Sequence, residues 1–210
     1  MRYTGPVCRL CRREGTKLFL KGTKCFTDKC AVERRAYAPG QHGQSTARRR
    51  KASEYAKQLR EKQKVKRIYG VSEKQFRNTF EKVSTQPGMR GHNLLAALES
   101  RLDNLVYRMG FAPSRSAARQ LIRHRHIEVN RGLVDIPSYS VAPGQEIRVR
   151  EKSREMGLVR DALDQSSRGQ SPSWLAVDRD SFSGRMLERP QRPSIPIAAQ
   201  EQLVVELYSK

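Results

Sequence analysis

The chain has 210 residues, of which 42 are Lys or Arg and 21 are Asp or Glu, so its formal net charge at pH 7 is +21. A surface with this excess of positive charge favours a polyanionic partner, and a nucleic acid is the first expectation. The mean hydropathy is −0.75, and no stretch approaches the roughly 20 apolar residues of a spanning helix, so we expect no membrane insertion.

The N-terminal third carries most of this charge. Through Gly70, 20 basic residues stand against 5 acidic ones, which accounts for +15 of the total +21. Residues 1–6 lack the apolar core of a secretory signal, so we expect a cytoplasmic chain whose thiols stay reduced. Hydrophobic residues make up 37% of the chain, which predicts small modules and solvated arms rather than one large core.

Four cysteines form two close pairs, Cys8 with Cys11 and Cys25 with Cys30. Such knuckles can close a tetrahedral thiolate shell around a metal ion. The segment up to about residue 45 has few apolar side chains to bury, so a structural metal is favoured over four free buried thiols. Zinc is the favoured metal, and a 4Fe-4S cluster stays open as the alternative. Five nearby cations are expected to meet RNA: Arg9, Arg12, Arg13, Lys24 and Lys29.

A strongly basic segment follows the cysteines. Residues 53–69 predict a helix that ends at Gly70. Its cations, and a cluster just before it, would lie against phosphates and supply affinity without reading bases, whereas the alternative is a solvated polar helix. The candidates are Arg48, Arg49, Arg50, Lys51, Lys57, Arg60, Lys62, Lys64, Lys66 and Arg67.

Two helices are predicted next. Ser72 and Gln75 form a capping box that begins a helix, and the dipeptide at 87–88 ends it. A longer helix is expected from about Asn93 to Met109, because leucines recur there at helical spacing. That apolar stripe indicates core packing rather than a cofactor site.

Ser114 should cap a shorter helix that ends near residue 124. Arg115, Arg119 and Arg123 are spaced by four on this helix, so we expect them together on its outer side, facing RNA. His124 and His126 follow at the junction with a strand, where they are interpreted as RNA contacts or as partners of the helix end.

The remaining pattern predicts a small β portion. Strands are expected over 127–129, 134–136 and 147–150, with a turn at 130–132. A further amphipathic helix is predicted from Ser153, and an isolated apolar stretch occupies 174–177. The last apolar run, residues 203–208, indicates a short strand or a docking tail.

One triplet suggests an enzyme. Arg101-Leu102-Asp103 resembles the catalytic aspartate motif of pseudouridine synthases, but it lies inside the predicted Leu-rich helix. The simpler interpretation is an Arg–Asp pair on a helix face, because no large catalytic domain fits in the remaining length. We therefore expect no enzyme, no catalytic residue and no small-molecule substrate.

A set of motifs together resembles the S4 family of bacterial small-subunit ribosomal proteins, in its four-cysteine, metal-binding type, and the match runs over the full length. The motifs are Gly5-Pro6-Val7-Cys8-Arg9-Leu10-Cys11, Pro39-Gly40-Gln41-His42-Gly43-Gln44, Arg101-Leu102-Asp103-Asn104, Arg108-Met109-Gly110-Phe111-Ala112, Ala118-Arg119-Gln120-Leu121 and Pro137-Ser138. The resemblance also implies RNA contacts at His42, Gln120, Asn130 and Ser138.

This resemblance implies a structural constituent of the small ribosomal subunit in the cytoplasm. Such a protein is a primary binder of 16S rRNA that grips a helix junction and nucleates assembly of the 5′ domain. It contributes to translational accuracy, lies where mRNA enters, near ribosomal proteins S3 and S5, and in some members represses translation of its own mRNA.

Two positions depart from the family pattern. Arg125 stands where Gly usually separates the two histidines, and Gly132 follows Arg131 where Asn-Gly would make a tight turn. A positive φ at Arg125 would cost on the order of 1 kcal/mol.

The predicted fold class is mainly α with a small β portion. Its segments are a four-cysteine arm (1–45), a basic helical domain (46–98), an inserted αα-β RNA-binding module (99–158) and a C-terminal extension that packs back on the helical domain (159–210). The alternatives are an rRNA-modifying enzyme with the same small module and a zinc-dependent DNA-binding regulator.

Overall fold

The computed structural model describes residues 3–44, 53–166 and 172–209, apart from the side chain of Ser166. These residues form a mainly helical protein with a small antiparallel sheet, which confirms the predicted fold class. The chain divides into two compact units, Met1–Gly91 with Ile197–Lys210 and His92–Pro196. Among the described residues, no helix has the length and apolar character needed to cross a membrane. The division into four segments is finer than these units and stays a prediction.

The elements follow one another in an order that places all the described strands in the second unit. In chain order they are α1 (Cys8–Glu14), a 3-10 turn (Gly22–Phe26), α2 (Ala31–Arg34), α3 (Glu54–Tyr69), α4 (Glu73–Ser84), α5 (Arg90–Glu99), α6 (Leu102–Arg108), α7 (Arg115–Arg123), β1 (Ile127–Val129), β2 (Gly132–Leu133), β3 (Glu146–Val149), α8 (Gly157–Ser166), β4 (Leu175–Asp178), β5 (Ser183–Met186) and α9 (Glu201–Tyr208).

Serine caps begin the helices that the sequence predicted most clearly. The Ser53, Ser72 and Ser114 hydroxyls each accept a hydrogen bond, at 3.3 Å, from the backbone N–H three residues on. Each bond satisfies one of the donors that a helix N-terminus leaves open. Gly70 ends α3 with φ 61°, a left-handed conformation that glycine adopts without a Cβ penalty. These predicted boundaries are confirmed.

The C-terminal run forms helix α9, so of the two interpretations the short strand is wrong and the docking tail agrees with the structure. Val204 is fully buried, and Tyr208, one helical turn later, stacks on Phe80 of α4 with ring centroids 4.7 Å apart. Gln58 of α3 also donates to Glu206 at 3.1 Å. A four-residue spacing suits a helix that packs one face on α3 and α4, and this packing outweighs the strand preference of the Val pair.

Glu73 connects three elements of the first unit. Its carboxylate accepts from the ammonium groups of Lys62 and Lys66, both at 2.7 Å, and from the Tyr208 hydroxyl at 3.0 Å. Burial alone would raise the pKa of Glu73, but these three hydrogen bonds outweigh burial and lower the pKa to about 2. Burial of the Tyr208 hydroxyl and the neighbouring Glu73 charge raise the pKa of Tyr208. The charged carboxylate thus stabilises the folded first unit.

The second unit carries an antiparallel sheet whose described strands have the order β2-β1-β3-β5-β4. Its core includes Ile127, Ile147 and the fully buried Trp174, together with the inner faces of α6 and α7. The helices-then-strands order of the predicted module is confirmed. The stretch 174–177, which the sequence left isolated, lies mostly in β4. There it pairs with β5 at the edge of the sheet.

The hairpin between β1 and β2 turns at two residues with positive φ. Asn130 has φ 48° and Arg131 has φ 65°, while Val129 pairs with Gly132 across the turn. Primed turns of this kind match the twist of the flanking strands but favour Gly at the second position. The predicted strand at 134–136 is wrong, because β2 ends at Leu133 and the chain turns at residues 137–138. Arg125 also adopts the anticipated positive φ, 63°.

The predicted helix from Asn93 to Met109 is interrupted. Helix α5 ends at Glu99, and α6 begins at Leu102. Between them Arg101 is extended and bridges Ser140. The Asn104 side chain donates to the Glu99 backbone carbonyl at 2.9 Å and satisfies one acceptor at the broken end. Leucine periodicity alone could not reveal this break, because the stripe stays buried on both sides of it.

The helix predicted from Ser153 begins later, at Gly157. Residues 151–153 form a 3-10 turn instead. Ser153 is buried there, and its Oγ lies 2.9 Å from Nδ1 of His126. This contact occupies the side chain that would otherwise cap the helix.

Replacing Glu73 by Gln should make stability less dependent on pH. Because the folded pKa lies below the unfolded value of about 4.3, the stabilisation is present above that pH and is lost as the pH falls towards 2. Glu73→Gln should lower the free energy of unfolding by about 1 kcal/mol at pH 7, since the half-exposed carboxylate is screened, and by less at pH 2.5. Urea unfolding followed by circular dichroism measures both.

The matched control is Glu81→Gln, whose pair with Arg77 is exposed on both sides and should contribute little. An equal loss at the two pH values would contradict the assigned role of Glu73.

Candidate RNA-binding surface and the cysteine arm

The cysteine arm, residues 3–44, carries the four predicted metal ligands. Cys11, Cys25 and Cys30 are buried, and Cys8 is half-buried. The backbone N–H of Lys21 donates to Sγ of Cys25 at 3.3 Å, and the backbone of Leu18 hydrogen-bonds the Cys11 thiol. Burial raises the pKa of Cys11, and the other three thiols contribute in the same direction. Such amide–sulfur bonds favour a thiolate once a cation is present.

Within residues 3–44, 53–166 and 172–209, no three His, Cys, Asp or Glu side chains are arranged to hold a metal ion. The four thiols therefore lie in one arm without the geometry of a coordination shell. The metal stays a prediction, and its donor set, four thiols on two short knuckles, is one that zinc and iron–sulfur clusters accept.

A buried carboxylate joins this arm to α3. The Glu14 side chain is only 1% exposed and pairs with Arg67 and, at 3.5 Å, with Arg60. Removing one partner of a buried pair leaves an uncompensated charge, so the arrangement fixes both arginines. These two predicted RNA contacts therefore also hold the first unit together.

The turn at 39–44 is held by Arg12. Its guanidinium donates to the carbonyls of Tyr37 at 3.0 Å and Ala38 at 3.4 Å, and lies 4.7 Å from the centre of the Tyr37 ring. A Cβ at Gly43 would meet the Ala38 carbonyl oxygen at 1.9 Å, so only glycine fits there. Arg12 thus has a structural role, whereas Arg13 and His42 are exposed.

The remaining cations of α3 also have carboxylate partners. Lys57 pairs with Glu54 and Lys64 with Glu61, and Lys62 and Lys66 share Glu73. Their predicted role towards RNA stays a prediction, with the added finding that these cations stabilise their own fold. Residues 48–51, predicted to bind phosphate, lie outside the described residues.

Two linked networks hold the predicted arginine face of the second unit. Asp103 accepts two hydrogen bonds from Arg101, at 3.1 and 2.8 Å, and pairs with Arg119 at 3.1 Å. Asn104 accepts from Arg115 at 2.8 Å. The pairing predicted between Arg101 and Asp103 is confirmed, although it lies at the start of α6 rather than inside a helix. Asp103 is buried, with no open side for a substrate.

The second network is centred on Glu99, which is fully buried. Arg108 donates to both of its oxygens, at 3.0 and 2.7 Å, and Asn104 donates to one at 2.6 Å. Arg115 also lies 4.6 Å from the centre of the Tyr107 ring. Through Asn104, this carboxylate orients Arg115.

The predicted outward face of α7 is therefore wrong for part of its length. Arg115 is half-buried, and the Arg119 side chain is 15% exposed because it turns towards Asp103. Ser116, Gln120 and Arg123 are the exposed positions of this helix. The four-residue spacing aligned the arginines correctly but could not show that a buried acid lies beneath them.

A cluster of cationic and imidazole groups lies where α7 meets β1. This junction cluster consists of Arg123, His124, Arg125, His126 and Arg150. The two histidine rings lie 6.1 Å apart, and the Arg150 backbone N–H donates to the His126 carbonyl at 2.9 Å. Burial lowers the pKa of His126, and neighbouring His124 and Arg150 lower it further. His126 also contacts Ser153, whereas His124 is exposed at the end of α7.

Sequence reasoning did not select three exposed arginines as sites: Arg125 and Arg150, which belong to this cluster, and Arg131, which lies at the hairpin turn. The signal for two of them was the family departure at the helix end and at the hairpin turn. Of the other predicted contacts here, Asn130 accepts from the Glu146 backbone at 2.9 Å, and Ser138 is exposed. The structure thus brings His124, His126, Arg123 and Gln120 together, and gives Arg119 and Arg115 a supporting role.

Replacing Asp103 by Asn should destabilise the second unit. Removing the buried negative charge leaves Arg101 and Arg119 facing each other, which typically costs about 3 kcal/mol in the free energy of unfolding. Chemical denaturation measures this loss. Asp135→Asn is the matched control, because its pair with Arg125 is exposed on both sides, and it should change stability by less than about 0.5 kcal/mol. Similar losses in the two variants would contradict the proposed network.

Comparison with known proteins identifies the family. Two family models match the chain, "Ribosomal protein S4/S9 N-terminal domain" over residues 2–99 and "S4 domain" over residues 100–147. The small ribosomal subunit protein uS4 of Natranaerobius thermophilus is 55% identical to the chain over 209 residues, covering 100% of this chain and 99% of that protein. The uS4 proteins of Thermus thermophilus and Thermoanaerobacter pseudethanolicus are 56% identical with the same coverage. The chain therefore belongs to the uS4 family of small ribosomal subunit proteins.

Proposed function

We propose that the chain is a primary 16S rRNA-binding protein that nucleates assembly of the 5′ domain by gripping a junction of helices. A structural, RNA-binding role in the small ribosomal subunit follows from the family, and that role is not enzymatic. The observation that supports the finer proposal most is the exposed junction cluster in a chain of net charge +21. Its place is the cytoplasmic ribosome.

The physical basis is recognition of phosphate and shape. The deep major groove of A-form RNA hides the base edges, so cations position the protein on the backbone and a folded junction supplies selectivity. Arg123, Arg125 and Arg150 are exposed and can each reach a phosphate. His124 adds a ring N–H donor beside them.

Further roles are proposed from the full-length resemblance alone. They are a position near ribosomal proteins S3 and S5 where mRNA enters, a contribution to translational accuracy, and repression of translation from its own mRNA. Crosslinking of the chain within intact subunits would identify its RNA and protein neighbours together.

RNA affinity should fall steeply with salt. A protein that neutralises several phosphates releases their counterions, so the log–log slope of affinity against salt should be steeper than about −3. Titrating a folded 16S 5′-domain fragment at several salt concentrations measures the slope. A shallower slope would contradict binding through phosphate neutralisation. Preference for duplex DNA at equal salt would contradict recognition of a folded RNA junction and favour the DNA-binding alternative.

We also propose that the cysteine arm holds a structural metal. The support is the donor set and the hydrogen bonds from backbone amides to the Cys11 and Cys25 thiols. Zinc is favoured and a 4Fe-4S cluster is the alternative. Cys8, Cys11, Cys25 and Cys30 would fill every coordination position, so the bound group would stabilise the arm and carry no reaction.

Removing the metal should expose the arm to proteases. Without the cross-link the arm has only small apolar contacts, so cleavage within residues 1–45 should rise while residues 92–196 stay protected. Limited proteolysis before and after chelation measures this, and elemental analysis with visible absorbance separates zinc from an iron–sulfur cluster. An arm that stays protected, or a purified chain without metal, would refute the proposal.

A further inference from the structure

An exposed aromatic pair lies on the cysteine arm. The rings of Phe19 and Phe26 stack with centroids 5.0 Å apart and planes inclined by 28°. The two residues are nevertheless 38% and 73% exposed, so much of the pair meets solvent. Burying this apolar surface would be favourable, yet the pair is not part of the core. It does not belong to the junction cluster either.

The backbone keeps the Phe19 ring outside. Phe19 has φ 52°, in the left-handed region that a residue with a bulky side chain rarely adopts. Its neighbour Leu18 is buried at 3% exposure. The strained residue thus separates a side chain packed into the arm from one held against Phe26. Strain of this kind often marks a ligand-binding position.

The surroundings of the pair are cationic. Between residues 15 and 30 the chain has four lysines and a single acidic residue, Asp28. Lys17 pairs with Glu33 at 2.5 Å, whereas Lys21 and Lys24 are exposed next to the aromatic residues in sequence. Aromatic faces among cations bind unpaired nucleotides, because the ring stacks on the base and the ammonium groups attract the phosphates.

The size of the surface also fits a nucleotide. Two phenylalanine rings offer a face for one or two bases, far less than the roughly 800 Å² per partner that a stable protein interface buries. Charge complementarity with a polyanion points the same way.

We propose that the Phe19–Phe26 pair is a stacking platform for an unpaired base of the bound RNA, with Lys21 and Lys24 beside its phosphates. The inference rests on the RNA binding proposed above and adds a contact that positive charge cannot supply. Stacking is insensitive to salt, whereas phosphate neutralisation is not, so the two contributions can be separated.

The test compares the full chain with its Phe26→Leu and Phe26→Ala variants in binding the folded 16S 5′-domain fragment at several salt concentrations. Both variants should weaken binding by about 5- to 150-fold at every salt concentration, with the salt slope unchanged. Lys24→Gln is the control, because it should reduce the steepness of the slope by about one. Urea unfolding of Phe26→Leu should match the parent, since residue 26 is largely exposed.

A second readout does not depend on affinity. Trp174, the single tryptophan, is fully buried, so Phe26→Trp adds an exposed fluorophore whose emission a stacked base should quench. Parent-like affinity of Phe26→Leu, a change in its slope, or an unquenched Phe26→Trp would overturn the platform and leave RNA binding intact. Failure of the parent chain to bind the fragment would instead overturn the proposed function.

Discussion

Carboxylates that each serve more than one partner stabilise each of the two units of this strongly basic chain. In the first unit, Glu14 accepts two arginines and Glu73 two lysines. In the second, Asp103 accepts two arginines, and Glu99 holds an arginine and an asparagine. With twice as many basic as acidic residues, each carboxylate that serves two cations removes a repulsion that would otherwise oppose folding. Losing Glu14, Glu73 or Asp103 would leave two cations facing each other within a packed unit.

The same pairs divide the cations into two groups. Arg67 and Arg119 lie mostly covered beside their acids, at 20% and 15% side-chain exposure, so their main role is to maintain the fold. Arg123, Arg125 and Arg150 are exposed and able to meet a phosphate. Buried charge therefore maintains the fold, and exposed charge is left available to bind RNA. A basic residue next to a buried acid should not be counted as a phosphate contact from sequence alone.

Local signals in the sequence were enough to predict the fold class, the serine caps, Gly70 and the helices-then-strands order. What they could not show depends on distant contacts. The break at Arg101 arises from a bridge to Ser140, 39 positions away, and the helical form of 201–208 depends on packing against α3 and α4. The α7 arginines were aligned correctly, but the direction of their side chains depends on Asp103. No hydrophobic periodicity in the sequence indicates that this acid is buried. The resemblance selected His124 and Gln120 and did not indicate Arg150.

Three exposed residues share a strained, left-handed backbone conformation. Phe19, Arg125 and Arg131 have φ of 52°, 63° and 65°, each costing on the order of 1 kcal/mol relative to glycine. Phe182 is similarly strained at 54°, but its ring packs against the core of the second unit, which offsets the cost within the protein. The other three are exposed, and the contacts of Phe19 with Phe26 and of Arg125 with Asp135 lie at the surface as well. Glycine at these positions would relieve the strain, but it would remove the aromatic ring of Phe19 and the positive charges of Arg125 and Arg131. On the RNA binding proposed above, a base stacked on the Phe19 ring and phosphates near the two arginines would add contacts at these positions, so binding would offset a cost that folding alone leaves in place.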